Sequence, residues 1–350
     1  MEGDETMMNE FNENIHRLRK EKESLAYRNI RLYNVRRKIS KTLTNIFFMG
    51  LVIGLSFVIL YPFLKLFPLV FNRLDEIGRP NAVWIPQYPS VKSFQIAYYL
   101  LTSIDKLIIL KSLLYALVIA LIQTFVSAMA GYSLARVNFK GKGIIFAIVI
   151  LTFIVPPQAT LISQYLRFKD FDIFGIFKAI TGDKLDLINK PITLYLLAIF
   201  GFGVKQSLFI FIFRQFFVSI PHELEEAAVI DGCGFYRTYF RVMLPNAIPA
   251  ILTVLVFAFV WNYGDTYYTY YFHPKGPYLS IVLNRTFQEN QFDFVKSLAW
   301  YRFDVMTFTT FSFDAVKQAA LLIFLAPLLV LYFIIQKRFV ENFEAAGIVG

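Results

Sequence analysis

The strongest constraint on this chain is how much of it is unbroken apolar sequence. Six stretches, over residues 44–70, 112–132, 143–165, 192–213, 247–268 and 317–335, are each long enough to cross about 30 Å of hydrocarbon as a helix of roughly 20 residues. Lipid supplies no water to satisfy backbone N–H and C=O groups, so each run must close its hydrogen bonds within itself, which excludes open strands. The expected fold class is an all-α membrane protein with six transmembrane helices. Composition agrees: 57% of the residues are hydrophobic, 17% are charged, and mean hydropathy is +0.52, too apolar for a pair of soluble domains. The aromatic share of 18% suits side chains facing acyl chains or sitting at the headgroup boundary, and equally a stacking surface for sugar rings.

A net charge of +10 would suggest nucleic acid in a soluble protein, but ten of the 35 Lys and Arg residues precede Thr42, ahead of the first apolar run. A basic arm there favours an anionic cytoplasmic leaflet. It is expected to stay inside, so six crossings return both termini to the cytoplasm. On that orientation 18 Lys or Arg lie inside and 14 outside, and without the arm the balance reverses to eight against 14. The orientation therefore rests on the arm. The expected organisation is a basic, part-helical and part-disordered arm over 1–43, a membrane domain over 44–338 and a short cytoplasmic tail over 339–350. The first apolar run is too long for a cleavable signal and reads as a retained anchor. Three long outer loops, 71–111, 166–191 and 269–316, form either a docking surface for an extracytoplasmic partner or a folded cap.

Residues 219–245, between the fourth and fifth runs, carry the densest local signals. Ser219 is placed to cap a helix whose early Pro221 has a suitable φ, and Glu223, Glu225 and Glu226 favour its positive end. Gly232 is placed to end that helix in a left-handed turn. A second short helix over 235–244 then stops at Pro245, where the fifth crossing begins. Two short helices around a glycine bend make a compact projection, and Ala227 with Ala228 permits close approach by a partner.

The order Glu226-Ala227-Ala228, then Asp231-Gly232, then Leu244-Pro245 resembles the cytoplasmic EAA loop of binding-protein-dependent ABC importer permeases. Arg214-Gln215-Phe216-Phe217 before it and Phe259-Val260-Trp261-Asn262 after it resemble the carbohydrate-uptake branch, the maltose-type permeases. Weaker echoes are Ser112-Leu113, the stretch from Tyr132 to Arg136 followed by Phe139-Lys140-Gly141, and Phe339-Val340-Glu341. The likeness extends over most of residues 110–345, with Cys233 standing where the family usually has Ala.

The resemblance implies a type I ABC importer permease fold and a subunit forming half of a translocation pore for a sugar or oligosaccharide. It implies a second related permease, two ATPase subunits that use ATP and Mg, and an extracytoplasmic solute-binding protein, all at a bacterial cytoplasmic membrane. Glu223, Glu226, Ala227, Ala228, Asp231, Gly232, Leu244 and Pro245 would form the ATPase-coupling loop. That places the loop inside after four crossings, in agreement with the basic arm.

Other residues are less decisive. Lys65 and Lys205 fall in apolar runs, where ionisable groups mark a substrate path or snorkel to the interface. Lys205 also follows Gly201 and Gly203, where a helix can break. Trp261, Asn262, Tyr263 and Asp265 offer a stacking ring and hydrogen-bond partners to a sugar, or ordinary helix packing. His16, His222 and His273 are scattered, and the single Cys233 forms no intrachain disulfide, so neither a catalytic group nor a metal site is expected. A phosphate loop of the G-x-x-x-x-G-K-[ST] type is absent from the sequence, so any ATP-driven work falls to another subunit. Two other classes compete: an ATP-independent channel or secondary transporter, and a membrane scaffold. Ion-driven carriers need buried titratable relays, which the six runs supply sparsely.

Overall fold

The computed structural model describes residues 2–74, 77, 85, 86, 88–173, 175–288, 294, 296, 298, 299 and 310–347. Parts of the loops 71–111 and 269–316, and the last three residues of the expected tail, lie outside them. The described chain is helical, and its only strand-like pairings are two isolated bridges, Asn72 with Pro89 and Phe171 with Leu185.

Two units result. The first is helix α1 (Glu2–Val70) as far as Pro68; the second begins at Leu69. The basic arm is helical from Glu2 and runs unbroken into the first apolar run, where partial disorder was expected. Its residues explain this, because no Gly or Pro interrupts the chain between Gly3 and Gly50. The apolar window of Arg36–Val70 is long and apolar enough to cross a membrane, which fits a helix that meets lipid or other apolar helices rather than water. Within it the Lys65 ammonium lies 5.1 Å from the centre of the Tyr61 ring.

In the second unit, α2 (Lys92–Thr102) precedes α3 (Ile108–Arg136), followed by α4 (Lys142–Ile154) and α5 (Pro157–Lys169). Next come α6 (Ile176–Thr181), α7 (Ile192–Ile199), α8 (Gln206–Ser219), α9 (His222–Ile230) and α10 (Phe235–Thr238). A π turn (Tyr239–Met243) leads to α11 (Leu244–Asn246), α12 (Ile248–Tyr263), α13 (Tyr267–Phe272), α14 (Leu279–Gln288) and α15 (Thr310–Gly347). Residues 339–347 of the expected tail continue α15 without a break.

Three described helices are individually long and apolar enough to cross a membrane: Arg36–Val70, Ile108–Arg136 and Thr310–Lys337. The remaining apolar runs are not straight helices. The third breaks after Ile154 and turns by 101°. Val155 and Pro156 each precede a proline, which disfavours the helical region, and both are extended, with ψ of 123° and 138°. The fourth breaks between α7 and α8. Gly201, at φ +83°, ends α7: Phe202 N–H donates to Leu197 O at 2.8 Å, and Gly201 N–H donates to Ala198 O at 3.4 Å, the double bond pattern of a left-handed helix stop. Lys205 then opens α8 at φ +55°. The fifth begins after a 76° bend at Ala247. α12 stops at Tyr263, short of the expected Tyr268, because the Asp265 carboxylate starts α13: it accepts from Tyr267, Tyr268 and Thr269 N–H and from Thr269 Oγ1, the last two at 2.7 Å.

α3 lies at the centre of this unit. It packs against α8, α12 and α7, and Gly131 sets its closest approach, since a Cβ there would lie 2.5 Å from Phe213 Cβ and 2.9 Å from the Arg214 amide nitrogen. The long loops are folded where they are described. They carry α2, α6, part of α13 and α14, and bury Ile96, Leu101, Leu279 and Phe272.

Candidate functional site

Residues 219–245 form the projection that the sequence anticipates. α9 starts at His222 with Pro221 as its flanking residue, and carries Glu223 and Glu225 in its first turn, where carboxylates meet unpaired N–H groups. Ser219 is the last residue of α8, and its hydroxyl donates back to Phe216 O at 2.7 Å. It does not cap α9 as expected, because α8 extends through it and Pro221 occupies the cap.

The end of α9 is as expected. Gly232 has φ +76°, Cys233 N–H donates to Ala228 O at 2.9 Å, and Gly232 N–H donates to Val229 O at 3.0 Å. This pattern satisfies two carbonyls left over by the helix. α10, the π turn and α11 then return the chain, so the second short helix ends at Asn246, two residues past the expected Leu244. Glu223, Glu226, Ala227, Asp231 and Gly232 are exposed, as are the large apolar side chains of Val229, Ile230 and Tyr236. Ala228 is buried. Its small size therefore serves packing within the chain, while Ala227 faces outward. Leu244 is partly covered, against the core around Met243, and Pro245 is exposed.

A buried cation holds this projection to the membrane helices. Arg136, the last residue of α3, has a side chain only 2% exposed. One guanidinium nitrogen donates to Phe217 O at 2.7 Å and to Ile220 O; the other lies 2.7 Å from His222 Nδ1. Its Nε lies 3.7 Å from Glu225 Oε2, and Tyr132, one helical turn earlier, donates its hydroxyl to Glu225 Oε1 at 2.8 Å. The Tyr132 ring packs edge-on against Phe217 with centroids 5.4 Å apart, and lies 4.9 Å from Tyr239. A single turn of α3 thus grips the end of α8, the start of α9 and the return limb. The planar fork of arginine suits this task, since several acceptors in fixed directions are met by one group. Lys142 adds a bond from its ammonium to Ala135 O at 2.9 Å.

The other polar residues singled out have separate partners among the described residues. The Lys205 ammonium lies 5.5 Å from the Phe153 ring centre. Trp261 stacks between Phe209 and Phe257, with centroids 5.5 and 5.6 Å away. The Tyr263 hydroxyl donates to Phe324 O at 3.0 Å, and Asp265 is engaged by the start of α13. Asn262 is buried and donates its amide to Gln123 Oε1 at 2.7 Å. Gln123 in turn donates to Val204 O at 3.4 Å, and Gln206 bridges the α7–α8 break, accepting from Gly203 N–H at 2.9 Å and donating to Ala198 O at 2.7 Å.

These amides bond backbone groups at the helix break, Val204 O and Gly203 N–H among them, where no lipid could. Sequence reasoning missed Gln123 and Gln206. A lone amide in the middle of an apolar run, as Gln123 is, was the available signal.

Residues 123–344 match the family described as binding-protein-dependent transport system inner membrane component. The "probable ABC transporter permease protein YurM" of Bacillus subtilis is 25% identical over 299 residues, covering 83% of this chain and 84% of that protein. The "maltodextrin transport system permease protein MalD" of Streptococcus pneumoniae is 23% identical over 316 residues, covering 89% of this chain and 97% of that one. Among solved structures, a chain of a bacterial ABC transporter involved in the import of the acidic polysaccharide alginate superposes with a TM-score of 0.64 over 86% of this chain and 98% of its own length, at 19% identity. That likeness is one of fold.

Proposed function

Because this multi-pass membrane protein belongs to the binding-protein-dependent transport system inner membrane component family, we propose that it is the permease subunit of an ATP-driven importer for a sugar or oligosaccharide. The observation that carries the reading is the bent α9–Gly232–α10 projection, exposed at its tip and gripped at its base by Arg136 and Tyr132. A lever of this construction transmits the movement of a separate motor into α3 and α8. The maltodextrin system in the name of one relative supports the choice of substrate class.

In this reading the chain crosses the membrane six times. α1, α3 and α15 cross as continuous helices, α4 with α5 and the α10–α12 segment as bent ones, and α7 with α8 as a broken one. Both termini and the 219–245 loop lie in the cytoplasm. The tip, with Glu223, Glu226, Ala227, Asp231 and Gly232, seats in a cleft of an ATPase subunit. A second related permease completes the pore, two ATPase subunits bind ATP and Mg, and an extracytoplasmic solute-binding protein delivers the sugar. The chain itself performs no covalent chemistry. Lys205, Trp261, Asn262, Tyr263 and Asp265 are assigned to the sugar path in this reading, Asn262 reaching the α7–α8 break through Gln123.

The test is reconstitution of the tagged chain with its copurifying subunits in lipid. ATP hydrolysis stimulated by sugar-loaded binding protein, with uptake that stops when ATP is withheld, is the expected result. Sugar uptake by the chain without any nucleotide-hydrolysing companion would make it a channel or secondary transporter instead.

A second expectation concerns Gly232. Replacement by valine forces a β-branched residue into the left-handed region, at a cost of roughly 1–2 kcal/mol or more. Nothing lies within 4 Å of the added Cβ, so the effect is on the bend alone. Gly232→Val is expected to insert and assemble normally while stimulated ATP hydrolysis and uptake fall together; full uptake in vesicles would refute the lever.

A further inference from the structure

Helix α5 has three faces. Leu161 and Phe168 are buried in the core with Leu194, Leu197 and Phe272. Ile162 and Leu166, one turn apart, are bare apolar side chains, 71% and 57% exposed. Thr160, Ser163, Gln164 and Arg167, at spacings of three and four, form a polar stripe between those two faces.

In a membrane protein the bare apolar face belongs to lipid or the headgroup boundary, which leaves the polar stripe to line water. The stripe does line a cavity, of about 950 Å³, which Phe200 and Phe202 from the α7–α8 break also line. Asp170 and Asp172 lie at its edge, and Asp172 is fixed there by the Phe177 N–H, 3.0 Å from its Oδ1. The Gln164 Oε1 atom is buried yet has no hydrogen-bond partner, although buried polar atoms ordinarily have one.

We infer that this cavity is a binding subsite for a neutral sugar unit, held by this subunit and separate from the Gln123–Asn262 amides. The inference rests on the importer reading above. Amide, hydroxyl, carboxylate and guanidinium groups along one wall can donate to and accept from vicinal sugar hydroxyls. Phe200 and Phe202, 59% and 52% exposed, offer flat faces to the C–H side of a pyranose ring. The volume falls in the range usual for small-molecule sites. Two carboxylates against one guanidinium disfavour an acidic sugar, so the ligand class is neutral. Gln164 Oε1 gains its missing donor from a sugar hydroxyl.

The experiment uses the whole transporter in nanodiscs without soluble binding protein. Radiolabelled maltodextrins and cellodextrins are the neutral probes, alginate oligomers the acidic ones, and Kd is read by scintillation proximity. Gln164→Leu and Phe200→Ala are each expected to raise Kd for the neutral probes about tenfold, and Ile162→Ala, on the lipid face, to leave it unchanged. Should Gln164→Leu fail to assemble, the Thr160→Val and Ser163→Ala pair carries the same test.

Unchanged Kd in the cavity variants, an equal loss in Ile162→Ala, tighter binding of alginate oligomers, or a phospholipid cross-linked at Phe200 would each overturn the subsite while leaving the importer reading intact. No ATP-dependent uptake of any sugar by the wild type would overturn both.

Discussion

Gly131→Val is expected to leave almost no assembled transporter. At this position α3 and α8 approach so closely that the first added carbon would sit 2.5 Å from Phe213 Cβ and 2.9 Å from a backbone nitrogen. A flexible side chain could swing aside, but helix backbone cannot, so the helices would have to separate along their contact. Membrane helices gain little from hydrophobic exclusion and depend on close van der Waals packing, which is why small residues mark their crossings. Overpacking a well-filled contact costs roughly 1–3 kcal/mol and more where backbone must move, a large share of a typical net stability. The measurement is the monodisperse fraction after mild detergent extraction. Gly131→Ala should lose part of it and Gly131→Val nearly all, whereas wild-type yields for both would mean that the α3–α8 contact is looser than described.

Arg136→Ala is expected to assemble but to uncouple. Its removal strands Phe217 O and Ile220 O at the end of α8 and leaves Glu225 facing a void where a cation had been. Leaving a covered backbone carbonyl without its donor costs about 1–3 kcal/mol, enough to let α9 move independently of α3. Uptake per ATP hydrolysed should drop by at least about tenfold, the consequence of roughly 1.4 kcal/mol lost at the joint. Arg136→Lys should not rescue it, because one ammonium cannot reach acceptors on α8 and α9 together. Tyr132→Phe removes one bond to Glu225 and should cost only about 1 kcal/mol. A coupling ratio in Arg136→Ala equal to that of the wild type would show that the tip is held by other contacts.

The legible part of this protein was local. The apolar runs announced helices because a backbone in lipid has no other way to close its hydrogen bonds. Gly232 announced the bend because few other residues adopt φ +76° without cost. Gly201 and Gly203 with Lys205 hinted at the broken fourth run, and a hint at the third break lay in Pro156-Pro157, though counting apolar length alone passed over it. Ser219 misled because two helix ends compete for it, and only the packed chain shows that α8 keeps it.

What no window of sequence could contain are the long-range partners. Arg136 reaches Phe217 and Ile220 from 81 and 84 residues away, and Gln123 meets Asn262 across 139. Trp261, Asn262 and Tyr263 are neighbours in the chain, yet helical rotation sends them to Phe209, Gln123 and Phe324. By itself the sequence determined that the chain is helical, that it lives in lipid and where its projecting bend falls, since each follows from hydrophobicity and backbone sterics over a few consecutive residues. Which residues grip that bend, which amides close the broken helix and which face of α5 meets the cavity were decided by tertiary structure alone, because hydrogen bonds and close packing depend on which distant segments share the same few ångströms.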